Sequence, residues 1–158
     1  MIVPRFAPDV AIRSAAERDL DALVRLLGIL FSIEADFRPE PEVQRRGLAL
    51  LLADPARAAV LVAARGDVVV GTATGQLVVS TAEGAPSLLV EDVVVLEVER
   101  GRGLGRRLLD SLEAWGAARG ATRLQLLADE GNEPALRFYA RLGWRRTRLV
   151  ALRRGGRS

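Results

Sequence analysis

Residues Glu91 to Arg107 read EDVVVLEVERGRGLGRR, and this segment restricts the fold more than any other part of the chain. Its valines suit a buried strand, because β-branched side chains pack well on a pleated surface. The run passes through Arg100, Gly101, Arg102, Gly103, Leu104 and Gly105. It then enters a stretch whose Leu104, Leu108, Leu112 and Trp115 recur at helical spacing. A strand, a glycine turn and an amphipathic helix in direct succession belong to an α/β architecture. They also make an anion cradle. Glycines let a ligand approach the backbone, and the first amides of a helix have no internal partner. The helix dipole adds positive charge at that end. Arg100, Arg102 and Arg106 add full charges, so a phosphate or diphosphate is the expected ligand.

The rest of the chain fills in a mixed sheet. Asp9 to Ser14 is expected as a first strand and Glu17 to Phe31 as a helix buried along Leu20, Leu23, Val24, Leu27 and Leu30. A second helix is expected from Glu42 to Leu52, stopped near Asp54-Pro55. Ala59 to Ala64 and Val68 to Ser80 read as a hairpin about Gly66-Asp67, and Leu88 to Val98 as the next strand. After the glycine segment, a helix runs to Arg119, followed by a strand from Thr122 to Ala128. Asn132 opens a last helix with Pro134 in its first turn, Gly143 ends it, and Trp144 to Leu152 is expected as a closing strand. The 158 residues amount to a single domain with a short basic tail from about residue 153.

Composition narrows the chemistry. There is no cysteine and no histidine, which removes thiolate nucleophiles, imidazole bases and the common metal ligands. No metal is expected, and proton transfer falls to carboxylates, tyrosine or water. All 23 basic residues are arginine and the net charge is only +3. Arg153, Arg154 and Arg157 make the tail basic, but no aromatic interleaving or recognition motif points to nucleic acid. The most apolar stretch, Leu20 to Ile33, is interrupted by Asp21 and Arg25 and is too short to span a bilayer. Pro4, Pro8 and Asp9 break any signal-peptide pattern. No membrane association is expected, and the chain reads as a bacterial-type cytoplasmic protein.

The spacing of the glycines rules out two common phosphate motifs. A dinucleotide fingerprint would need glycine where Arg106 or Leu108 stands, and a P-loop would need a lysine. Arg100-x-x-Gly103-x-Gly105 resembles instead the diphosphate signature of the GNAT superfamily of acyl-CoA N-acyltransferases. Further on, Asn132, Ala135, Phe138, Tyr139, Gly143 and Trp144 resemble that superfamily's second hallmark, one strand later, as the family has it. The likeness extends over about Ala59 to Leu152. Glu97-Val98-Glu99 departs from the family's usual Pro-Glu-Tyr before the arginine.

The resemblance implies the GNAT fold, a mixed sheet of six to seven strands flanked by about four helices. It implies acetyl-CoA as cosubstrate and direct attack by an amine on the thioester. Val93, Val94 and Val95 would border a splay in the sheet that receives the pantetheine arm, and the segment from Arg100 to Arg106, with Gly101, Arg102, Gly103, Leu104 and Gly105, would hold the diphosphate. Asn132, with Ala135 and Phe138 of the same motif, would help orient the arm. Tyr139 would be the general acid, and the Val94 amide a donor to the developing oxyanion. Glu91 and Asp92 are the base candidates. Neighbours in a strand face opposite sides, so Glu91, sharing parity with Val93 and Val95, is preferred and Asp92 is taken as a structural partner. Both could equally serve only as hydrogen-bond partners to loops. Glu34, Asp36, Phe37 and Arg38 are expected to meet the acceptor amine, although a solvated loop accounts for them equally well. The valine-rich strands allow a homodimer. A non-catalytic acyl-CoA-binding domain and a small basic nucleic-acid binder remain alternatives.

Overall fold

The structure is a computed structural model and describes residues 9–155; Pro4, Pro8 and Arg157 lie outside the described residues. The chain divides into two compact units, the first ending at Leu126 and the second beginning at Leu127.

The first unit is a five-stranded sheet in the order β1-β2-β3-β4-β5. Its strands are β1 (Val10–Ser14), β2 (Ala58–Arg65), β3 (Val68–Ser80), β4 (Ala85–Val95) and β5 (Arg123–Leu126). The first four pair antiparallel and β5 runs parallel to β4. Parallel pairing demands a crossover, supplied here by α3 (Leu104–Ala117). A single 3-10 turn, Glu17–Asp19, leads into α1 (Leu20–Ile33), and α2 is Pro41–Leu52.

One side of the sheet is covered by α1. Leu23, Val24, Leu26, Leu27 and Leu30 pack with Leu48 of α2 and with Val60, Val62, Val69 and Val94 of the strands. The other side receives α3 through Leu108 and Leu112, which approach β3 where it has no side chains. A Cβ on Gly75 would stand 3.0 Å from Leu88 and 3.4 Å from Leu112, and one on Gly71 3.1 Å from the Val94 carbonyl. Trp115, expected within this stripe, is only half-buried, because its ring lies beneath the Arg119 guanidinium at 4.1 Å. Gly116 takes its place in the packing.

The second unit contains α4 (Glu133–Arg141). The expected strand from Trp144 to Leu152 does not form, and the described sheet has five strands rather than six or seven. A strand exists only as part of a ladder. This segment has arginine at 145, 146 and 148, and Leu149, Val150 and Leu152 are over 80% exposed or at 80%. Leu88 to Val98 is likewise shifted: β4 begins at Ala85 and ends at Val95, and Glu97–Glu99 form a 3-10 turn.

Candidate active site

The β4–β5 ladder is short. It pairs Ser87 with Arg123 and stops at Val90 with Leu126, while β4 itself continues to Val95. On its other edge β4 stays paired to β3, with Gly71 opposite Val95 and Ala73 opposite Val93. The Leu96 N–H donates to the Val70 carbonyl at 2.9 Å, which fixes the alternation of the antiparallel ladder. Thr72 and Val94 are therefore a hydrogen-bonded pair, and the N–H and C=O groups of Val93 and Val95 face away from β3. This corrects the expectation for Val94, whose amide is held by the ladder. The outward amides are those of Val93 and Val95. The Val95 carbonyl already accepts from Arg100 Nε at 3.0 Å.

The parity argument for the carboxylates also fails, for a local reason. Between Ala73 and Gly75 the β3–β4 register shifts, so that Glu91 and Asp92 together oppose Thr74. A bulge of this kind re-aims the side chains around it. Leu88 lies against Gly75 and Leu112, and Val95 against Gly71 and Leu108, although one number is even and the other odd. Asp92 follows the later register, with Val94, on the side covered by α1. Glu91 is exposed and Asp92 half-buried. The Thr74 hydroxyl donates to Asp92 Oδ2 at 3.1 Å and accepts from the Asp92 N–H at 3.1 Å. Burial pushes the Asp92 carboxyl up to about 6. The nearby Glu91 charge adds to the rise and the Thr74 hydroxyl opposes it. A carboxylate in that range combines basicity with availability near neutrality. Thr74, fully buried, was not singled out from the sequence; nothing there distinguishes it from Thr72 two residues earlier in the same strand.

These opposing influences give a test. Thr74→Val should move the acid limb of any Asp92-dependent activity upward in pH, and Glu91→Gln should move it downward. Limbs that stay in place in both variants would detach Asp92 from the activity.

The loop after β4 is built as its composition suggests. Gly101 and Gly103 adopt φ of 75° and 77°, where a Cβ is strained. No heavy atom outside the adjoining residues lies within 4 Å of a Cβ placed at either, so the space above them is open. Gly103 is the N-cap of α3 and no side chain caps that end, leaving the first-turn amides without a side-chain partner. Leu104 is buried and anchors the turn, while Gly105 is half-buried. The arginines divide in two. Arg107 donates to the Val10 carbonyl at 2.7 Å, a structural role. Arg100, Arg102 and Arg106 keep exposed heads. Arg102 Nη1 donates to Glu99 at 3.3 Å, and Arg106 stands 3.7 Å from Asp110. An open glycine turn, bare amides and three surface guanidinium groups fit the diphosphate of a coenzyme.

The acceptor candidates follow α1. The Phe31 and Phe37 rings lie 5.3 Å apart, and Asp36, Phe37 and Arg38 are exposed while Glu34 is half-buried. In the second unit, Asn132 caps α4 by accepting from the Ala135 N–H at 3.3 Å, so its side-chain oxygen already has a structural use. Tyr139 lies between two aromatic neighbours, Phe138 at 5.2 Å and Trp144 at 5.9 Å. Phe138, expected as core, is half-buried, and no residue of α4 is fully buried.

A ladder that stops beside a strand still offering amides, followed by a glycine turn into a helix with no side-chain cap, is an α/β arrangement open to an extended arm and an anionic group. The chain belongs to the Acetyltransferase (GNAT) family, whose profile matches residues 22–144. N-alpha-acetyltransferase 80 of Mus musculus is 53% identical over 58 residues, which are 37% of this chain and 17% of that protein. The chain therefore matches less than a fifth of that relative's length. An acetyltransferase of Trypanosoma brucei is similar at 28% identity with a TM-score of 0.71, covering 92% of this chain and 99% of its own. The aminoglycoside N-acetyltransferase AAC(6')-Iy, solved in complex with CoA, shares the fold at 22% identity with a TM-score of 0.81, over 98% of this chain and 99% of its own. Among the described residues, no helix is long and apolar enough to cross a membrane.

Proposed function

We propose that the chain moves the acetyl group of acetyl-CoA onto a primary amine of a small molecule or peptide by direct attack. The observation that carries this is the end of the β4–β5 ladder at Val90 and Leu126, directly ahead of the uncapped turn into α3. The outward backbone groups of Val93 and Val95 offer an extended arm the hydrogen bonds of an added strand. The bare amides of Leu104, Gly105 and Arg106, with Arg100 and Arg102, hold the diphosphate. Bound there, the coenzyme supplies an activated acetyl thioester.

Asp92, rather than Glu91, takes the proton from the acceptor ammonium, directly or through a water, and so frees the amine lone pair that attacks the thioester carbonyl. It carries the raised pKa, and it lies on the sheet side covered by α1, whose following loop holds Glu34, Asp36, Phe37 and Arg38. Those two carboxylates and the aromatic suit a cationic acceptor. Tyr139 donates a proton to the departing sulfur, a role it takes from its place in the family motif. Asn132 caps the helix that carries Tyr139, satisfying the Ala135 amide in its first turn.

Thioester cleavage followed with a panel of amines, from amino acids and polyamines to aminoglycosides and peptide N-termini, tests the reading. At least one amine should raise cleavage well above the rate in water; no acceleration by any would defeat it. Gly103→Ala places a side chain at φ 77°, a conformation costing roughly 1–2 kcal/mol. The variant should stay folded and lose about tenfold or more in acetyl-CoA affinity. Unchanged affinity in calorimetry would mean that the coenzyme is held elsewhere.

A further inference from the structure

Glu99 poses an electrostatic problem that the site has to solve. It immediately precedes Arg100, and its carboxylate lies 3.3 Å from Arg102 Nη1. It therefore sits within a loop that must attract a diphosphate. An unscreened carboxylate there would repel the ligand and would also hold Arg102 as its own counter-ion. The structure gives it a second partner from a distant part of the sequence. Arg65, the last residue of β2, donates from Nε to Glu99 Oε1 at 3.3 Å and from Nη2 to Oε2 at 2.8 Å. This is the two-pronged geometry in which guanidinium and carboxylate match best. The Arg65 and Glu99 side chains are 21% and 12% exposed, whereas Arg102 is 61% exposed. The Arg65 pair is shorter, doubled and better shielded from water than the Arg102 contact. Arg102 is the partner that can leave.

We infer that Arg65 is a positioning residue for coenzyme binding, one that neutralises Glu99 from behind so that Arg102 is free to turn to the diphosphate. This rests on the reading of the Arg100–Arg106 turn as the diphosphate site. Arg65 touches no part of the ligand in this account. It acts through Glu99, which stands where the family's usual Pro-Glu-Tyr would put tyrosine. The Arg65 side chain is also what holds the Glu99 carboxyl below the usual carboxylate range, so the charge is present throughout the physiological pH interval.

The test is a double-mutant cycle read by calorimetry with CoA and, separately, with acetyl-pantetheine, which lacks the diphosphate. Arg65→Ala should weaken CoA binding about tenfold and leave acetyl-pantetheine binding within twofold. In steady state KM for acetyl-CoA should rise while kcat holds. Glu99→Gln alone should bind CoA at least as tightly as the parent. The double variant Arg65→Ala/Glu99→Gln should recover CoA affinity to within about threefold, and Arg65→Lys, which keeps the charge, should do the same. An Arg65→Ala variant with parental CoA affinity would overturn the inference. So would a double variant as weak as Arg65→Ala, since a purely structural role is not rescued by removing a charge. A parent chain that took up no CoA would overturn the diphosphate site itself and this inference with it.

Discussion

Asp92→Asn is expected to lower the amine-dependent kcat by about 10²- to 10⁴-fold near neutral pH, the usual contribution of a general base, and at the same time to raise the melting temperature. In the parent, kcat should climb as pH passes through about 6, because only the ionised carboxyl accepts a proton. The variant should lose that limb. The asparagine oxygen can still accept from the Thr74 hydroxyl, so the substitution removes charge with little change in shape. Activity within a few-fold of the parent, or an acid limb that survives the substitution, would exclude Asp92 as the base.

The stability half of the expectation follows from the same shift. The folded-state pKa lies above the ordinary 3.8, at about 6. Below pH 4 the group is protonated both folded and unfolded, and it contributes no pH dependence. As pH rises from about 4 to 6, the unfolded chain gives up its proton and the folded chain does not, so the parent loses stability. A rise from 3.8 to about 6 corresponds to about 3 kcal/mol by pH 7. Asparagine escapes that loss. At roughly 2–4 °C per kcal/mol for a chain of this size, the variant should melt several degrees higher at pH 7.5 and nearly level with the parent at pH 4. Loss of activity with a gain in stability is the pattern of a group kept strained for function. A variant that melts lower at pH 7.5 would show that the carboxylate supports the fold instead.

This carboxylate also marks where the sequence stops being legible. The strand from Val68 to Ser80, the hairpin about Gly66 and the glycine turn could all be read from local chemistry, and they stand in the structure at those residues. The bulge could not. EDVVV alternates as smoothly on paper as any strand, and the extra residue exists only because β3 places Thr74 opposite two residues at once. The choice of Glu91, drawn from parity across that point, was therefore exposed to reversal. The same limit applies to the arginines. Arg106 and Arg107 are adjacent in sequence, and only the fold shows that Arg107 is tied to the Val10 carbonyl while Arg106 stands beside Asp110. The segment after Trp144 fails differently: its leucines and valine have strand propensity, but propensity without a partner edge makes no ladder.

Tyr139→Phe should cost about 10²-fold in kcat, within the range for a lost general acid, and leave the dissociation constant of acetyl-CoA within twofold. The reason for the split is chemical. A phenol that protonates sulfur does so only as the carbon–sulfur bond breaks, so its removal affects the transition state and not coenzyme binding. Phenylalanine keeps the ring between Phe138 and Trp144, so α4 should fold unchanged and the melting temperature should fall by only a few degrees. A second readout separates acid catalysis from a packing effect. Thioesters of increasingly acidic thiols need less help from a proton donor, so the deficit of the variant should shrink steadily as the leaving thiol becomes more acidic. A deficit that stays constant along such a series would place Tyr139 outside the proton transfer. An acetyl-CoA affinity that falls in step with kcat would make it a binding residue instead. Either result would return the protonation of sulfur to water, because with no histidine or cysteine in the chain and Asp92 required in its ionised form, no other tyrosine exists to supply the proton.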